Sequence, residues 1–203
     1  IDNDGTITNT GNEGDGINGG DGDDVIGNGE TGDIVNVQSE GGSGINAGNG
    51  NNTVTNDGAI TNTTEDGHGI VTGNGADTVT NNGSITNATE DGHGIFARGS
   101  GNTVTNDGSI TNSTEDGHGI FVLGGDNTVT NNGAITNTTE DGHGIFAGNG
   151  DDTLTNSGQI ENTTWEGHGI DGANGNDVID NSGTVENDAE FFGSGISGSL
   201  GDD

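Results

Sequence analysis

The chain has 203 residues, a formal net charge of −33, 45 glycines, no proline, no cysteine and a single basic residue, Arg98. One cation cannot neutralise a run of phosphates, so nucleic acid is excluded as a direct partner and metal cations are expected instead. Apolar residues make up 23 %, too few for an ordinary globular core, and no apolar run is long enough for membrane insertion.

A repeat overrides the disorder that such a composition suggests. A hydrophobic residue follows each Gly-rich Asp/Asn turn at Ile1, Ile26, Val54, Val79, Val104, Val129, Leu154 and Ile179, in steps of 25 apart from one of 28. A period in this range marks a solenoid, whose stacked coils share one narrow core. Coils 1–53 are degenerate, with three extra residues around Gly29-Glu30-Thr31. Coils 54–178 are regular, and 179–203 is degenerate again, with Glu190-Phe191-Phe192-Gly193-Ser194-Gly195 in place of the usual Glu-Asp-Gly-His-Gly.

Within one coil, Val54, Ile60 and Ile70 centre three short segments, each β-branched, alternating in polarity and bounded by Gly or Asn. These are strand signals, and no stretch carries a helical pattern. The expected fold is a single-domain, all-β, right-handed parallel β-solenoid (β-helix) of eight coils, about 25 residues and three short strands each. Stacking would turn alignment columns into ladders. Val54, Ile60, Ile70 and their equivalents form the core, and Asn56 and Asn62 head two Asn columns able to hydrogen-bond from coil to coil.

Gly19-Gly20-Asp21-Gly22-Asp23-Asp24-Val25-Ile26-Gly27 matches the nonapeptide G-G-x-G-x-D-x-U-x at every position. Here the chain resembles RTX-type calcium-binding repeat proteins. Looser matches recur at Gly73–Val79, Gly148–Leu154 and Gly172–Ile179, while Asn52, Asn102 and Asn127 replace the Asp in three coils. The T-V-T-N-x-G-x-I-T-N run resembles autotransporter-adhesin passenger repeats. The calcium resemblance implies Ca²⁺ held by turn carbonyls and an Asp, with Asp21, Asp23, Asp24, Asp77, Asp151, Asp152, Asp177, Asp202 and Asp203 as the candidate ligands.

A second acidic column pairs Glu65-Asp66, Glu90-Asp91, Glu115-Asp116 and Glu140-Asp141, with Trp165-Glu166 closing the set. Charges one coil apart repel by about 0.9 kcal/mol even in a water-like dielectric, so they serve as a solvated rim or a cation ladder. His68, His93, His118, His143 and His168 form a glycine-flanked column, a corner ladder or a site for zinc or copper. Gly-His-Gly also occurs in polygalacturonases, but five copies and the absence of their Asn-Thr-Asp and Arg-Ile-Lys motifs argue against an enzyme. Phe96, Phe121 and Phe146 face outward if alternation is strict and inward if the strand bends.

A further step of 25 from Ile179 falls one position past Asp203. The two ends therefore match in phase, and copies are expected to stack head to tail through Ile1, Asn3, Ile7, Ile196, Leu200 and Asp203. Low lysine with abundant Asp, Asn, Gly and Thr points to an extracellular, bacterial-type setting. The expected function is a secreted structural protein, the subunit of an extracellular fibre or biofilm-type matrix, stabilised by Ca²⁺. The alternatives are a stalk fragment of a larger adhesin, and an ice-binding protein using Thr-x-Thr arrays such as Thr53/Thr55.

Overall fold

A computed structural model describes residues 1–37, 40–201 and 203. Among them there is no helix, and the strands assemble into three parallel sheets of eight. The first sheet runs from Asp2–Asn3 to Val178–Asn181, the second from Thr6–Asn9 to Thr184–Asn187, and the third from Ile17–Asn18 to Ile196–Ser197. Each strand pairs with its counterparts one coil away, Thr78 with Thr53 and Thr103, Ile85 with Ile60 and Ile110. The chain is thus a β-solenoid of eight coils.

The sequence pattern explains the strands. In Thr53–Asn56 and its repeats, Val and Asn point inward and are buried while the first Thr is exposed and the second half-buried. The Ile and Val columns have 0 or 1 % of their surface exposed through the middle coils. Fully burying one such side chain contributes about 1.5–3 kcal/mol, and three per coil stand behind each turn. Third-sheet strands have two or three residues, against four or five in most strands of the other two sheets. A Cβ at Gly94 would lie 2.3 Å from Ile110 Cγ2 and 2.6 Å from Gly119 O, so only glycine fits that close approach.

The extra residues are placed differently from the expectation. Thr6 pairs with Asp33, 27 residues on, and Ile17 pairs with Ile45, 28 residues on. Two extra residues therefore sit in the turn between Asn28 and Asp33, and the third lies between Asn36 and Ile45. A further extra residue in the last coil sets Ile170 against Ile196.

Both Asn columns form ladders. Asn3 Nδ2 donates to Asn28 Oδ1, and the same bond repeats through Asn56, Asn81, Asn106, Asn131, Asn156 and Asn181 at 2.7–2.8 Å. A second ladder runs from Asn36 to Asn187 at 2.8–3.0 Å. Both are almost wholly buried, where an unpaired amide would cost about 1–3 kcal/mol.

Candidate functional site

Two further columns at the corners use side chains to capture backbone amides. The first stands in the Gly-rich turn before the first sheet: Asp24, Asn52, Asp77, Asn102, Asn127, Asp152, Asp177 and Asp203. Each backbone N–H donates to the side-chain Oδ1 of the next coil's residue. Asp24 N–H binds Asn52 at 2.9 Å, Asn52 N–H binds Asp77 at 2.7 Å, and the series ends with Asp177 N–H to Asp203 at 2.8 Å. Asn52, Asn102 and Asn127, which looked like departures from the calcium motif, therefore continue the same column.

Asp and Asn differ at the second atom. Asn52 Nδ2 donates to the carbonyls of Gly48 and Gly50 at 3.1 Å, Asn102 Nδ2 to Gly99 and Asn127 Nδ2 to Gly124 at 3.0 Å. At an Asp, oxygen replaces that nitrogen and has no hydrogen to give. Asp24, Asp77, Asp152 and Asp177 each have a buried Oδ2 without a hydrogen-bond partner. Asp77 and Asp152 are 1 % exposed and Asp177 4 %. A Cβ at Gly172 would lie 2.5 Å from Asp177 Oδ2, so the carboxylate presses against the turn itself.

A buried carboxylate oxygen facing a carbonyl-lined turn fits a hard cation or a proton. Burial pushes Asp152 up to about 6, against hydrogen bonds from Asn127, and also pushes Asp177 up, with Asp203 and Asp151 adding like charge. Asp24, Asp77, Asp152 and Asp177 are thus the residues of this column that could hold a hard cation.

The other acidic candidates are arranged differently. Asp21, Asp23 and Asp151 are exposed at turn tips, each accepting bonds from the next coil: Asn49 Nδ2 on Asp21, Asn51 N–H on Asp23 and Asn176 N–H on Asp151. Asp202 lies outside the described residues. Glu65, Glu90, Glu115 and Glu140 stack in register, joined by backbone bonds of 2.6–2.7 Å, with exposed side chains beside exposed Asp66, Asp91, Asp116 and Asp141. Trp165 and Phe191 continue this column, their rings 4.7 Å apart.

The second corner column contains all five histidines, Ser194 in the place of a sixth, and two members that sequence reasoning missed: Asp15 and Ser43. Here each backbone N–H donates to the side chain of the preceding coil. Ser43 N–H binds Asp15 Oδ1 at 2.8 Å, His68 N–H binds Ser43 Oγ at 3.3 Å, and each later amide binds the Nδ1 before it, down to Ser194 on His168 at 2.9 Å. The signal was present: Gly-Asp15-Gly and Gly-Ser43-Gly share the glycine flanks of Gly-His-Gly.

The imidazoles stack 5.0–5.2 Å apart, and Phe96, Phe121 and Phe146 pack half-buried beside them at 4.9–5.1 Å. An Nδ1 that accepts an amide must be unprotonated, so each neutral ring carries its hydrogen on Nε2. Burial lowers His68 to about 4 and His118 to about 3, and holds His93 well below its ordinary value. His143 falls to about 4 for the same reason, although the Asp171 carboxylate opposes the shift.

Asp171 takes the place of phenylalanine in its coil, pairing in register with Phe146. Its Oδ2 lies 3.9 Å from Nε2 of both His143 and His168, the one three-residue metal-type cluster among the described residues. Both Nε2 atoms carry hydrogen and have no lone pair to offer, so zinc or copper does not fit these rings as they are held. The cluster orients two N–H groups toward a carboxylate that also accepts from Ala173 N–H and Ser199 Oγ.

The predicted end residues differ in exposure. Ile1 and Leu200 are exposed, Ile196 is 41 % exposed, Ile7 is half-buried, and Asn3 is buried under Asn28. Compared with protein-family models, with curated proteins and with solved structures, the chain matches none.

Proposed function

We propose that this chain is a structural β-solenoid, the repeating part of a secreted extracellular fibre or matrix, lengthened by end-on stacking and stiffened by Ca²⁺ in its Asp-bearing turns. The observation that carries this reading is the use of the polar side chains. Asn, Asp and His columns are committed to holding one coil on the next, and the imidazoles are fixed in a tautomer unsuited to proton abstraction at either nitrogen. Calcium would be held by Asp24, Asp77, Asp152 and Asp177, and it would supply the positive charge that their orphan oxygens lack.

Electron microscopy and sedimentation of the purified chain, with Ca²⁺ and with chelator, test the proposal. Filaments that lengthen with Ca²⁺ are expected. A chain that stays monomeric at high concentration in Ca²⁺ overturns it.

A second reading rests on the first sheet. Thr53, Thr78, Thr103, Thr128 and Thr153 stack in register, as do Thr55 and its equivalents, giving the regular hydroxyl array that an ice-binding face needs. Thermal hysteresis would establish that reading, and its absence would remove it.

A further inference from the structure

The chain has one Lys or Arg side chain against 34 Asp and Glu, yet Arg98 makes no ion pair and no hydrogen bond among the described residues. Its Cζ lies 4.8 Å from the centroid of the Phe96 ring, so the guanidinium is held by the face of an aromatic ring. All five of its N–H donors are left for something else.

Arg98 lines a cleft of about 710 Å³, a size suited to a small molecule. One column explains the opening. In the third sheet Asn46 pairs with Val71, Val71 with Phe96, and Phe96 with Phe121 and so on to Phe146. Phenyl rings fill this column at 96, 121 and 146, each packed beside an imidazole. At Val71 and Asn46 the side chains are smaller, and the cleft opens there beside His68 and Ser43. These residues and Arg98 belong to the second, third and fourth coils, each with a coil stacked on either side, so the cleft opens sideways.

The charges around it narrow the ligand. Glu13, Glu40, Glu65 and Asp66 line the cleft with exposed carboxylates, while Asp15 is taken up by Asn18, Asn46 and the Ser43 N–H. A simple anion on Arg98 would stand among those four carboxylates. A simple cation beside Glu65 and Asp66 would leave the guanidinium unanswered and be repelled by it. A molecule with both charges satisfies both sides, and an apolar group on it can take the space that phenyl rings fill further along.

We infer that this cleft binds a small zwitterion with an apolar side group, of the α-amino acid class. Its carboxylate sits on Arg98, its ammonium toward Glu65 and Asp66, and its side group over Val71 beside His68. Such binding needs neither filaments nor Ca²⁺.

Three probes separate the charges: L-phenylalanine carries both, phenethylamine the ammonium alone, and 3-phenylpropionate the carboxylate alone. Each is titrated into the whole chain in chelator at neutral pH, and binding is followed by amide NMR shifts. L-Phenylalanine is expected to bind about tenfold more tightly than either of the others, with shifts centred on residues 65–71 and Arg98. Arg98→Gln should lose about tenfold for L-phenylalanine and none for phenethylamine. Val71→Phe, which carries the ring column one coil further, should abolish binding without lowering the melting temperature. Should that variant not fold, Arg98→Gln at its exposed position carries the test alone. Phenethylamine binding as tightly as L-phenylalanine would show only an acidic surface gathering cations, and overturns the inference. So do L-phenylalanine causing no shift, shifts centred elsewhere, or Arg98→Gln binding it as the parent does.

Discussion

The turn column and the histidine column do the same work in opposite ways. Each places a side chain to receive one backbone amide per coil, yet one points along the chain direction and the other against it. Their protonation demands are also opposed. The histidines must stay neutral, because a proton on Nδ1 would face an N–H donor. Burial pushes the Asp152 and Asp177 carboxyls the other way, toward keeping a proton. Acid therefore works against the histidine column and in favour of Asp152 and Asp177.

The largest effect that would break this contrast comes from Asn102→Asp. It removes the amide bonds to Gly99 and Asn127 and sets an oxygen against them, so a loss of about 2–4 kcal/mol is expected in chelator at neutral pH. Ca²⁺ should restore most of it; urea denaturation with and without Ca²⁺ measures both. The reverse change, Asp152→Asn, supplies the missing hydrogens and should stabilise the chelated protein by about 1–2 kcal/mol at pH 7. A destabilisation there would show that the Oδ2 pocket is satisfied in another way.

The pH profile sharpens the contrast further. Between the ordinary histidine value and about 4, the unfolded chain binds protons that the folded His68 and His143 refuse. Their contribution is fully present above 6.5 and is lost as pH falls toward 4. Asp152 works the other way: its proton favours the folded state below the ordinary carboxylate value, and that contribution is lost as pH rises through about 6. In chelator, His118→Ser should shift the thermal optimum toward lower pH at a cost of about 1–2 kcal/mol at pH 7, since Ser43 shows that a hydroxyl can hold the column. The smallest change is Glu115→Gln on the exposed rim, expected within about 0.5 kcal/mol and slightly stabilising at low salt. A melting curve resolves its sign.

Much of this was legible because stacking converts one-dimensional spacing into contact. The period located the core columns and both Asn ladders, since Val54, Ile60, Ile70, Asn56 and Asn62 recur without substitution of type through the regular coils. What spacing could not reveal was direction and equivalence. Asp15, Ser43 and His68 share a column although their chemistry differs, because the backbone asks only for an acceptor. Asn52 and Asp77 likewise share a place through Oδ1 and differ only in what their second atom can give. Asp171 escaped notice since the imidazoles beside it, His143 and His168, come from different coils. The place of the third extra residue shows only when the columns are compared, Ile7 to Ile34 being 27 apart and Ile17 to Ile45 being 28.

The regularity of coils 54–178 has a consequence for how the chain reaches this state. Val79, Val104 and Val129 present neighbouring coils with near-identical surfaces, so a segment can dock on the coil after next and leave 25 residues looped out. Such a skipped coil keeps nearly every ladder intact and is penalised mainly at its loop. Only the irregular places distinguish correct from displaced assembly: the longer turn after Asn28, Asp171 among phenylalanines, and the extra residue before Ile196. These imperfections number the coils, and a chain made wholly of perfect repeats would have no means of counting itself.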